Sequence, residues 1–434
     1  MNTSNVRWPD SLWAAMTPSG PELPELTGTQ QADVIVIGGG FTGLSTALHL
    51  REAGVDVAIV EAAEPGWGAS GRNNGQVIPT LSRPDPEDIV AKHGEAGERF
   101  VGMLRDSASY LFDVTRRYSI DAEGEQAGWV QPVHSPGRIK IAERRVQQWS
   151  KLGAPVELLS RDETRQMLGS DAWFGGFWNR TGGHINPLAL SRGLARVVLE
   201  RGGRIYARSP ALSFERQNAR WVVKTERGEI AGRALIVATN AYTGEFSNSL
   251  MPDIAHEVMP VLSWQMATQP LSEAARATII PGRQAMSDTH GELYFARYDA
   301  RNRLVTGGAV IGPGDKAERL KVIVAERLQR LWPQIGPVQF DYVWNGYVGM
   351  TTDFLPRIHR LGPDAFGWTG CNDRAVALSI ALGDELAKAA RGAPDRELAL
   401  PFTDPVPIVG HALLRRLAPL MLVLYRRRDA REIG

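Results

Sequence analysis

The sequence predicts an α/β fold that opens with a strand, a glycine-rich turn and a helix. Residues 34–37 are all Val or Ile, and a second, largely apolar run covers residues 55–60. The segment between them has the length of a crossover helix, and Gly54 stands where such a helix would end. We therefore expect a βαβ unit here, and residues 235–237 predict a further buried strand.

The turn after the first strand has the spacing of a dinucleotide-binding fingerprint. Gly38 allows the tight turn, Gly40 lets the backbone approach a pyrophosphate, and Gly43 lets the helix pack against its strand. Glu61 lies 18 residues beyond Gly43, and a carboxylate there suits a free ribose hydroxyl, which favours FAD or NAD over NADP. The candidate cofactor residues in this unit are Gly38, Gly40, Phe41, Thr42, Gly43 and Glu61.

Size and composition indicate a protein of two joined domains whose ligand is a small molecule. The chain has 434 residues, and its 49 Lys and Arg nearly balance 48 Asp and Glu, so no global field favours nucleic acid. Cys371 is the single cysteine, which excludes a disulfide framework and fits a reducing compartment. The histidines lack ligand spacing, so we expect no metal site. Without a signal pattern or an apolar run of about 20 residues, we expect a cytoplasmic protein.

Two further segments resemble ligand edges, and the tail is ambiguous. Residues 66–76 form a small-residue loop with polar side chains, and a small polar turn follows the strand at 235–237. The tail at 412–428 combines leucines with arginines. It could lie on a membrane or a partner as a basic amphipathic helix, but we expect it to pack its apolar face on the body.

Four motifs in order carry a resemblance to a known family. They are the glycine fingerprint, the loop Gly68-Ala69-Ser70-Gly71-Arg72-Asn73, the turn Ala238-Thr239-Asn240 and the block 344–381. The chain resembles the FAD-dependent oxidoreductases of the D-amino-acid oxidase and glycine oxidase superfamily, and within it the gamma-glutamylputrescine oxidoreductase type. The resemblance implies a Rossmann-like FAD-binding domain interleaved with a mostly antiparallel substrate (cap) domain. The implied segments are an arm at 1–30, FAD-binding parts at 31–85, 180–250 and 340–400, cap parts at 86–179 and 251–339, and a tail at 401–434.

The same resemblance implies noncovalent FAD and a set of residues around it. Relatives that attach FAD covalently carry a histidine in the loop that corresponds to residues 66–71, and this chain has none. Attachment at Cys371 is conceivable, but we expect a lone buried thiol. A helix N-terminus after residue 374 would stabilise charge that develops on the flavin. The implied flavin-side residues are Ala69, Ser70, Arg72, Asn73, Asn74, Gln76, Ala238, Thr239, Gly370, Asn372, Asp373, Arg374 and Ala375.

The chain departs from the family pattern at two places. Amino-acid oxidases of this superfamily resemble W-x-G-x-R-P where this chain reads W-N-G-Y-V-G from Trp344, so Val348 replaces the arginine that clamps a substrate carboxylate. Relatives also have glycine where this chain has Asp373 and Ala375. We expect Asp373 to cap a helix over about 374–390; the alternative is a carboxylate that opposes reduced flavin.

The implied reaction is oxidation of a C–N bond in an aliphatic amine, such as gamma-glutamylputrescine or an N-alkyl amine. Hydride passes to flavin N5, water hydrolyses the imine, and O2 or a quinone takes the electrons. The alternatives are an amino-acid dehydrogenase that feeds a membrane quinone and a non-catalytic flavin-binding protein. The candidate substrate residues, which could instead be core of the cap sheet, are Tyr294, Arg297, Trp344, Tyr347 and Met350.

Overall fold

The computed structural model describes residues 7–246, 250–311, 314–417 and 420–433. Its helices are α1 Leu12–Met16, α2 Phe41–Glu52, α3 Pro86–Arg117, α4 Ile139–Lys151, α5 Arg161–Leu168, α6 Pro187–Glu200, α7 Pro252–Ala255, α8 Glu273–Arg276, α9 Lys316–Leu331, α10 Val376–Ala390, α11 His411–Leu417 and α12 Leu420–Ile433. Its strands are β1 Gly28–Gln31, β2 Val34–Ile37, β3 Val57–Val60, β4 Gln76–Val77, β5 Trp129–Pro132, β6 Val156–Leu159, β7 Gly176–Asn179, β8 Gly183–His184, β9 Arg204–Tyr206, β10 Ser213–Gln217, β11 Arg220–Lys224, β12 Gly228–Gly232, β13 Ala234–Val237, β14 Met259–Pro270, β15 Ala285–Ser287, β16 Phe295–Tyr298, β17 Arg303–Gly308, β18 Phe340–Met350, β19 Arg357–Gly362 and β20 Ala365–Thr369.

A six-stranded sheet in the order β19-β20-β13-β2-β3-β9 carries the glycine turn. The strands from β20 to β9 are parallel, and β19 is an antiparallel edge. Every residue of β2, β3 and β13 is buried, as expected for a parallel sheet covered on both faces. The predicted βαβ unit is confirmed, although the second strand begins at Val57.

Helices α2 and α10 cover the sheet side by side. A Cβ on Gly383 would lie 2.4 Å from Cβ of Ser45, so glycine is what allows the two helices to approach this closely. The hydroxyl of Ser45 donates to the carbonyl of Ile380 at 2.7 Å. The first turns of both helices thereby lie at the same edge of the sheet.

A second, eight-stranded sheet has the order β18-β14-β17-β16-β15-β5-β7-β6. All its pairs are antiparallel except β15 with β5. The register of β14 and β18 pairs Leu262 with Tyr347 and Ser263 with Gly346. The predicted combination of a Rossmann-like sheet with a mostly antiparallel one is confirmed.

The N-terminal arm is anchored by its tryptophans. Trp13 is 1% exposed and meets Trp344 edge to face at 5.9 Å between ring centroids. Trp8 donates from Nε1 to the Glu64 carboxylate at 3.0 Å. The arm therefore lies directly against the segments that surround the glycine turn.

The tail does not pack its leucines on the body. Leu413, Leu414, Leu417, Leu420 and Leu424 are all exposed, so our expectation of a covered apolar face is wrong for them; Leu422 is partly buried. A leucine pattern fixes an amphipathic helix but not which side faces the protein. No helix among the described residues is both long and apolar enough to cross a bilayer.

Candidate flavin and substrate site

A cavity of about 1500 Å³, counted with its open mouth, lies between the two sheets. One wall is the carboxyl-end edge of β2, β3 and β13, and the other is the inner side of β14 and β18. Ligands of open parallel sheets bind at this edge. The predicted cofactor residues that line the cavity are Gly38, Gly40, Phe41, Thr42, Glu61, Ala69, Ser70, Arg72, Asn73, Asn74, Gln76, Ala238, Thr239, Asp373, Arg374 and Ala375.

The glycines of the turn are required by its geometry. Gly38 has φ +108°, and an added Cβ would lie 2.9 Å from the carbonyl oxygen of Ala238. A Cβ on Gly43 would lie 1.9 Å from the carbonyl oxygen of Gly38, so Gly43 acts behind the lining by letting α2 sit on β2. Ser70 Oγ accepts from the backbone N–H of Phe41 at 2.9 Å. The N-terminus of α2 thus opens into the cavity beside a hydroxyl.

Glu61 is held rigidly at the end of β3. One carboxylate oxygen accepts from Gly39 N–H at 2.5 Å and the other from Ala63 N–H at 2.8 Å. Burial raises the pKa of Glu61, against the lowering effect of these backbone donors. The carboxylate is therefore fixed at the end of β3, where we expect a ribose hydroxyl to bind.

Three consecutive carbonyls of the 66–76 loop are held by buried donors. The carbonyl of Arg72 accepts from Trp344 Nε1 at 2.7 Å, that of Asn73 from Trp13 Nε1 at 2.8 Å, and that of Asn74 from Arg297 Nε at 2.7 Å. The amide side chains of Asn73 and Asn74 bond back to the loop itself. Asn73 and Asn74, which we predicted as cofactor residues, therefore help to fix the shape of this loop. Trp344 and Arg297, which we predicted as substrate residues, do so as well.

Arg72 lies where the loop meets β18. Its Nε donates to the Trp67 carbonyl at 2.6 Å, and its guanidinium stacks over the Trp67 ring at 4.2 Å. An added Cβ on Gly346 would lie 3.2 Å from Arg72 Cβ. Burial lowers the pKa of Arg72, while Tyr242 and Glu245 act against that change. The Arg72 side chain lines the cavity.

The turn at 370–375 differs from our expectation. Helix α10 begins at Val376 with Ala375 as its N-cap and no side-chain capping bond, so the proposed capping role of Asp373 is wrong. Asn372 (φ +47°) and Asp373 (φ +67°) are both left-handed, a conformation that Asn and Asp tolerate better than other side chains. This explains how aspartate stands where relatives have glycine, and it moves the helix start downstream.

The side chain of Asp373 points into the cavity instead. It is exposed on the side that faces the cavity, and the protein around it raises its pKa to about 6 by desolvation, while Arg374 acts in the opposite direction. Gly370 and Asn372 lie behind the lining, where the Asn372 amide accepts from Thr351 N–H at 2.8 Å. The first turn of α10 lines the cavity.

Arg374 is buried and braces the wall. Its Nη1 donates to Thr80 Oγ1 at 3.1 Å and to the Leu81 carbonyl at 3.0 Å. Burial, with Arg145 nearby, lowers its pKa to about 9. Its Nε has no partner among the described residues.

Unpartnered polar atoms collect at this cavity. Among the described residues, buried atoms without a hydrogen bond include Gln76 Oε1, Asn240 Oδ1, Gln265 Oε1 and Arg374 Nε, all from residues of the lining. Leaving such an atom unpaired costs about 1–3 kcal/mol. A flavin ring system offers donors and acceptors along its edge, so these atoms, together with the glycine cradle, fit FAD.

Aromatic rings form the remaining wall. Tyr242 and Tyr347 meet at 5.6 Å between centroids, and the Tyr242 hydroxyl accepts from Tyr347 N–H at 3.1 Å. Trp67 and Phe246 continue the same wall, with centroids 5.6 Å apart. Sequence reasoning missed Tyr242, although it lies three residues beyond Thr239 in a turn already identified as a ligand edge.

Of the five predicted substrate residues, Tyr347 lines the cavity and four lie elsewhere. Trp344 and Arg297 hold the loop carbonyls described above. Tyr294 is stacked between His290 and the Arg327 guanidinium, and Met350 ends β18. The surroundings of these four side chains fit the alternative interpretation, in which they belong to the core of the cap sheet.

A group of metal-ligand types lies away from the cavity, beneath α12. Ligand atoms of His134, Asp429 and Glu432 fall within 4.8 Å of one another. Arg138 bonds both oxygens of Glu432, at 2.5 and 2.9 Å, and Arg428 bonds Asp429 at 2.8 Å. Guanidinium groups already neutralise both carboxylates, and we propose no metal here.

The fold and the cavity define a flavin-dependent oxidoreductase. The family model described as FAD dependent oxidoreductase matches residues 33–389, and the chain belongs to this family. It is similar to gamma-glutamylputrescine oxidoreductase of Escherichia coli, at 31% identity over 93% of this chain and 94% of the relative. Among solved structures it is similar to glycine oxidase from Geobacillus kaustophilus (TM-score 0.70, 19% identity, 83% and 95% of the two chains) and to L-proline dehydrogenase from P. horikoshii (0.69, 21%, 84% and 93%). The chain is an enzyme that uses FAD.

Proposed function

We propose that the chain oxidises the C–N bond of an aliphatic amine whose reacting carbon bears no carboxylate, such as a gamma-glutamylated polyamine or an N-alkyl amine. Bound FAD would accept a hydride at N5 from that carbon, water would hydrolyse the resulting imine to a carbonyl compound and an amine, and O2 or a quinone would reoxidise the cofactor. The observation that carries the proposal is Val348 on the cavity wall.

Val348 presents an isopropyl group at the position where the pattern of the amino-acid oxidases has a carboxylate-binding arginine. Neither Arg297 nor Arg374 takes the place of that arginine. Arg297 is 1% exposed and donates to three backbone carbonyls, and Arg374 is turned toward Thr80 and Leu81. A carboxylate on the reacting carbon would lose its bidentate partner, which disfavours α-amino acids.

Arg72 supports a substrate with an anionic group farther from the reacting carbon. Its two terminal nitrogens make no hydrogen bond to the described residues, since its one bond runs from Nε to Trp67. A guanidinium in this state binds a carboxylate in a fork. The gamma-glutamyl group, which appears in the name of the Escherichia coli relative, carries such a remote carboxylate.

Anaerobic reduction of the purified holoenzyme tests the proposal. We expect gamma-glutamylputrescine or an N-alkyl amine to bleach the flavin absorbance at least about tenfold faster than matched α-amino acids. In the Val348→Arg variant, α-amino acids should bleach the flavin faster than they do in the wild type, because the arginine that binds the carboxylate is restored. Equal rates in the wild type would contradict the substrate class, and no bleaching by any amine would favour a non-catalytic flavin protein.

An amino-acid dehydrogenase that feeds a quinone is the second candidate. The exposed tail favours it, because contact with a bilayer would bring the enzyme to a lipid-soluble acceptor. Admitting O2 after anaerobic reduction separates the acceptors. Bleaching by α-amino acids, with return of the yellow absorbance only after a quinone analogue, favours this second candidate, because the first proposal predicts little bleaching by α-amino acids.

A further inference from the structure

The tail presents an apolar surface to solvent. On α11, Leu413, Leu414 and Leu417 are exposed by 61%, 44% and 45%. On α12, Leu420, Met421, Val423 and Leu424 are exposed by 54%, 45%, 38% and 56%. We refer to these side chains as the tail face. Exposed apolar residues gathered in this way mark an interaction site more often than scattered ones do.

The tail face lies on the side of α11 and α12 opposite to their hydrogen bonds with the rest of the protein. The Tyr425 hydroxyl accepts from the Arg83 guanidinium at 3.1 Å, and the Asp429 carboxylate accepts from Gly291 N–H at 2.7 Å. On α11, the His411 ring bonds a backbone carbonyl of the body at 2.9 Å. Both helices are therefore in contact with the rest of the protein, and the side chains of the tail face point outward in that position.

Positive charge accompanies the tail face. Arg415, Arg416, Arg427 and Arg431 are exposed and make no ion pair with the described residues. The acidic residues of the two helices, Asp429 and Glu432, are both engaged with the body or with arginine. The free charge beside the apolar side chains is thus uniformly positive.

Apolar side chains at positions i, i+1 and i+4 of α11, with Arg415 and Arg416 on the other side of that helix, form the pattern of an interfacial amphipathic helix. Arginine stems can lie along the apolar boundary while their charged ends reach phosphate groups. A second copy of this chain fits less well, because a two-fold contact through the same face would bring like charges together.

We propose that α11 and α12 bind the surface of a bilayer containing anionic lipid. The leucines of the tail face enter the boundary between headgroups and acyl chains, and the arginines contact the lipid phosphates. Helix α11 packs on β14, and Ser263 and Gln265 of β14 line the cavity. Lipid contact would place a wall of the cavity close to the membrane surface.

Vesicle sedimentation of the full-length holoenzyme tests this inference. We expect binding to vesicles of phosphatidylcholine and phosphatidylglycerol in equal parts, little binding to phosphatidylcholine alone, and weaker binding as salt rises. Arg415→Ala/Arg416→Ala and Leu413→Glu/Leu424→Glu should each weaken binding by at least about tenfold. Leu158→Glu, which alters an exposed leucine on β6, is the matched control and should bind as the wild type does.

Two results would overturn the proposal. One is equal sedimentation with and without anionic vesicles. The other is a dimer in light scattering that Leu413→Glu/Leu424→Glu dissociates while vesicle binding is absent, which assigns the tail face to a second copy. An unchanged flavin spectrum in each variant shows that the fold and the cofactor are retained, so neither outcome depends on the substrate.

Discussion

Asp373 offers a direct test of how this site differs from its relatives. Its carboxylate faces the cavity, and its pKa is raised to about 6 by burial. At that pKa the group is about one-tenth ionised at pH 5 and about nine-tenths ionised at pH 7. Reduced flavin carries negative charge, so an ionised Asp373 should weaken binding of the reduced form relative to the oxidised form.

The size of the effect follows from charge and exposure. Two unit charges interact by about 4 kcal/mol at a separation of about 4 Å and an effective dielectric of about 20, and by less at larger separations. Because Asp373 is exposed to the cavity, solvent screening reduces this interaction to about 1 kcal/mol, which is roughly a fivefold ratio. For a two-electron couple a tenfold ratio is about 30 mV. We expect the potential of Asp373→Asn to lie about 20 mV above that of the wild type at pH 7, and the two potentials to converge near pH 5.

Spectroscopic redox titration against a reference dye, repeated from pH 5 to pH 8, measures this difference. Asp373→Gly, which restores the residue of the relatives, is the control for loss of the side chain and should behave as Asp373→Asn does. Equal potentials for all three proteins at pH 7, with FAD bound equally, would refute the argument. Stability gives an independent readout: a raised acid pKa adds stability at low pH that is lost as pH rises from about 4 to about 6, so the wild type should lose stability relative to Asp373→Asn across that window.

Three further predictions concern the cofactor and the cavity wall. Arg297→Met leaves the Asn74 carbonyl without its donor and should raise the FAD dissociation constant about tenfold in fluorescence titration; a change confined to the KM of the amine would contradict this. Tyr242→Phe removes the acceptor for Tyr347 N–H and should lower kcat/KM roughly fivefold with an unchanged flavin spectrum; unaltered kinetics would place the amine elsewhere. Because burial raises the pKa of Cys371, its thiol is a poor nucleophile, and acid denaturation should release all the flavin; a yellow pellet would show covalent attachment.

The parts that the sequence predicted well are those fixed by local chemistry. Uniformly apolar β2 and β3, and glycines whose absent Cβ atoms allow the turn, define the βαβ unit without reference to the rest of the chain. The start of α10 was mispredicted because we identified the capping residue by its type alone. In the structure Asn372 and Asp373 both have left-handed backbone conformations, so the helix begins only after them. The tail was mispredicted because periodicity identifies a face and not its surroundings.

The substrate wall could not be read from the sequence because it depends on how distant segments pair. Trp344 and Arg297 were selected as cap-sheet residues near a substrate, yet the pairing of β18 with β14 and the seat of the arm direct both toward the 66–76 loop. Together with Trp13, they bind three successive carbonyls of that loop. Trp344 lies on β18, Trp13 on α1 and Arg297 on β16. Each carbonyl is thus fixed from outside the cofactor-binding sheet. The same contacts leave the inner wall to Arg72, Tyr242 and Tyr347, so residues far apart in the chain have different roles: one set fixes the 66–76 loop, and the other lines the cavity.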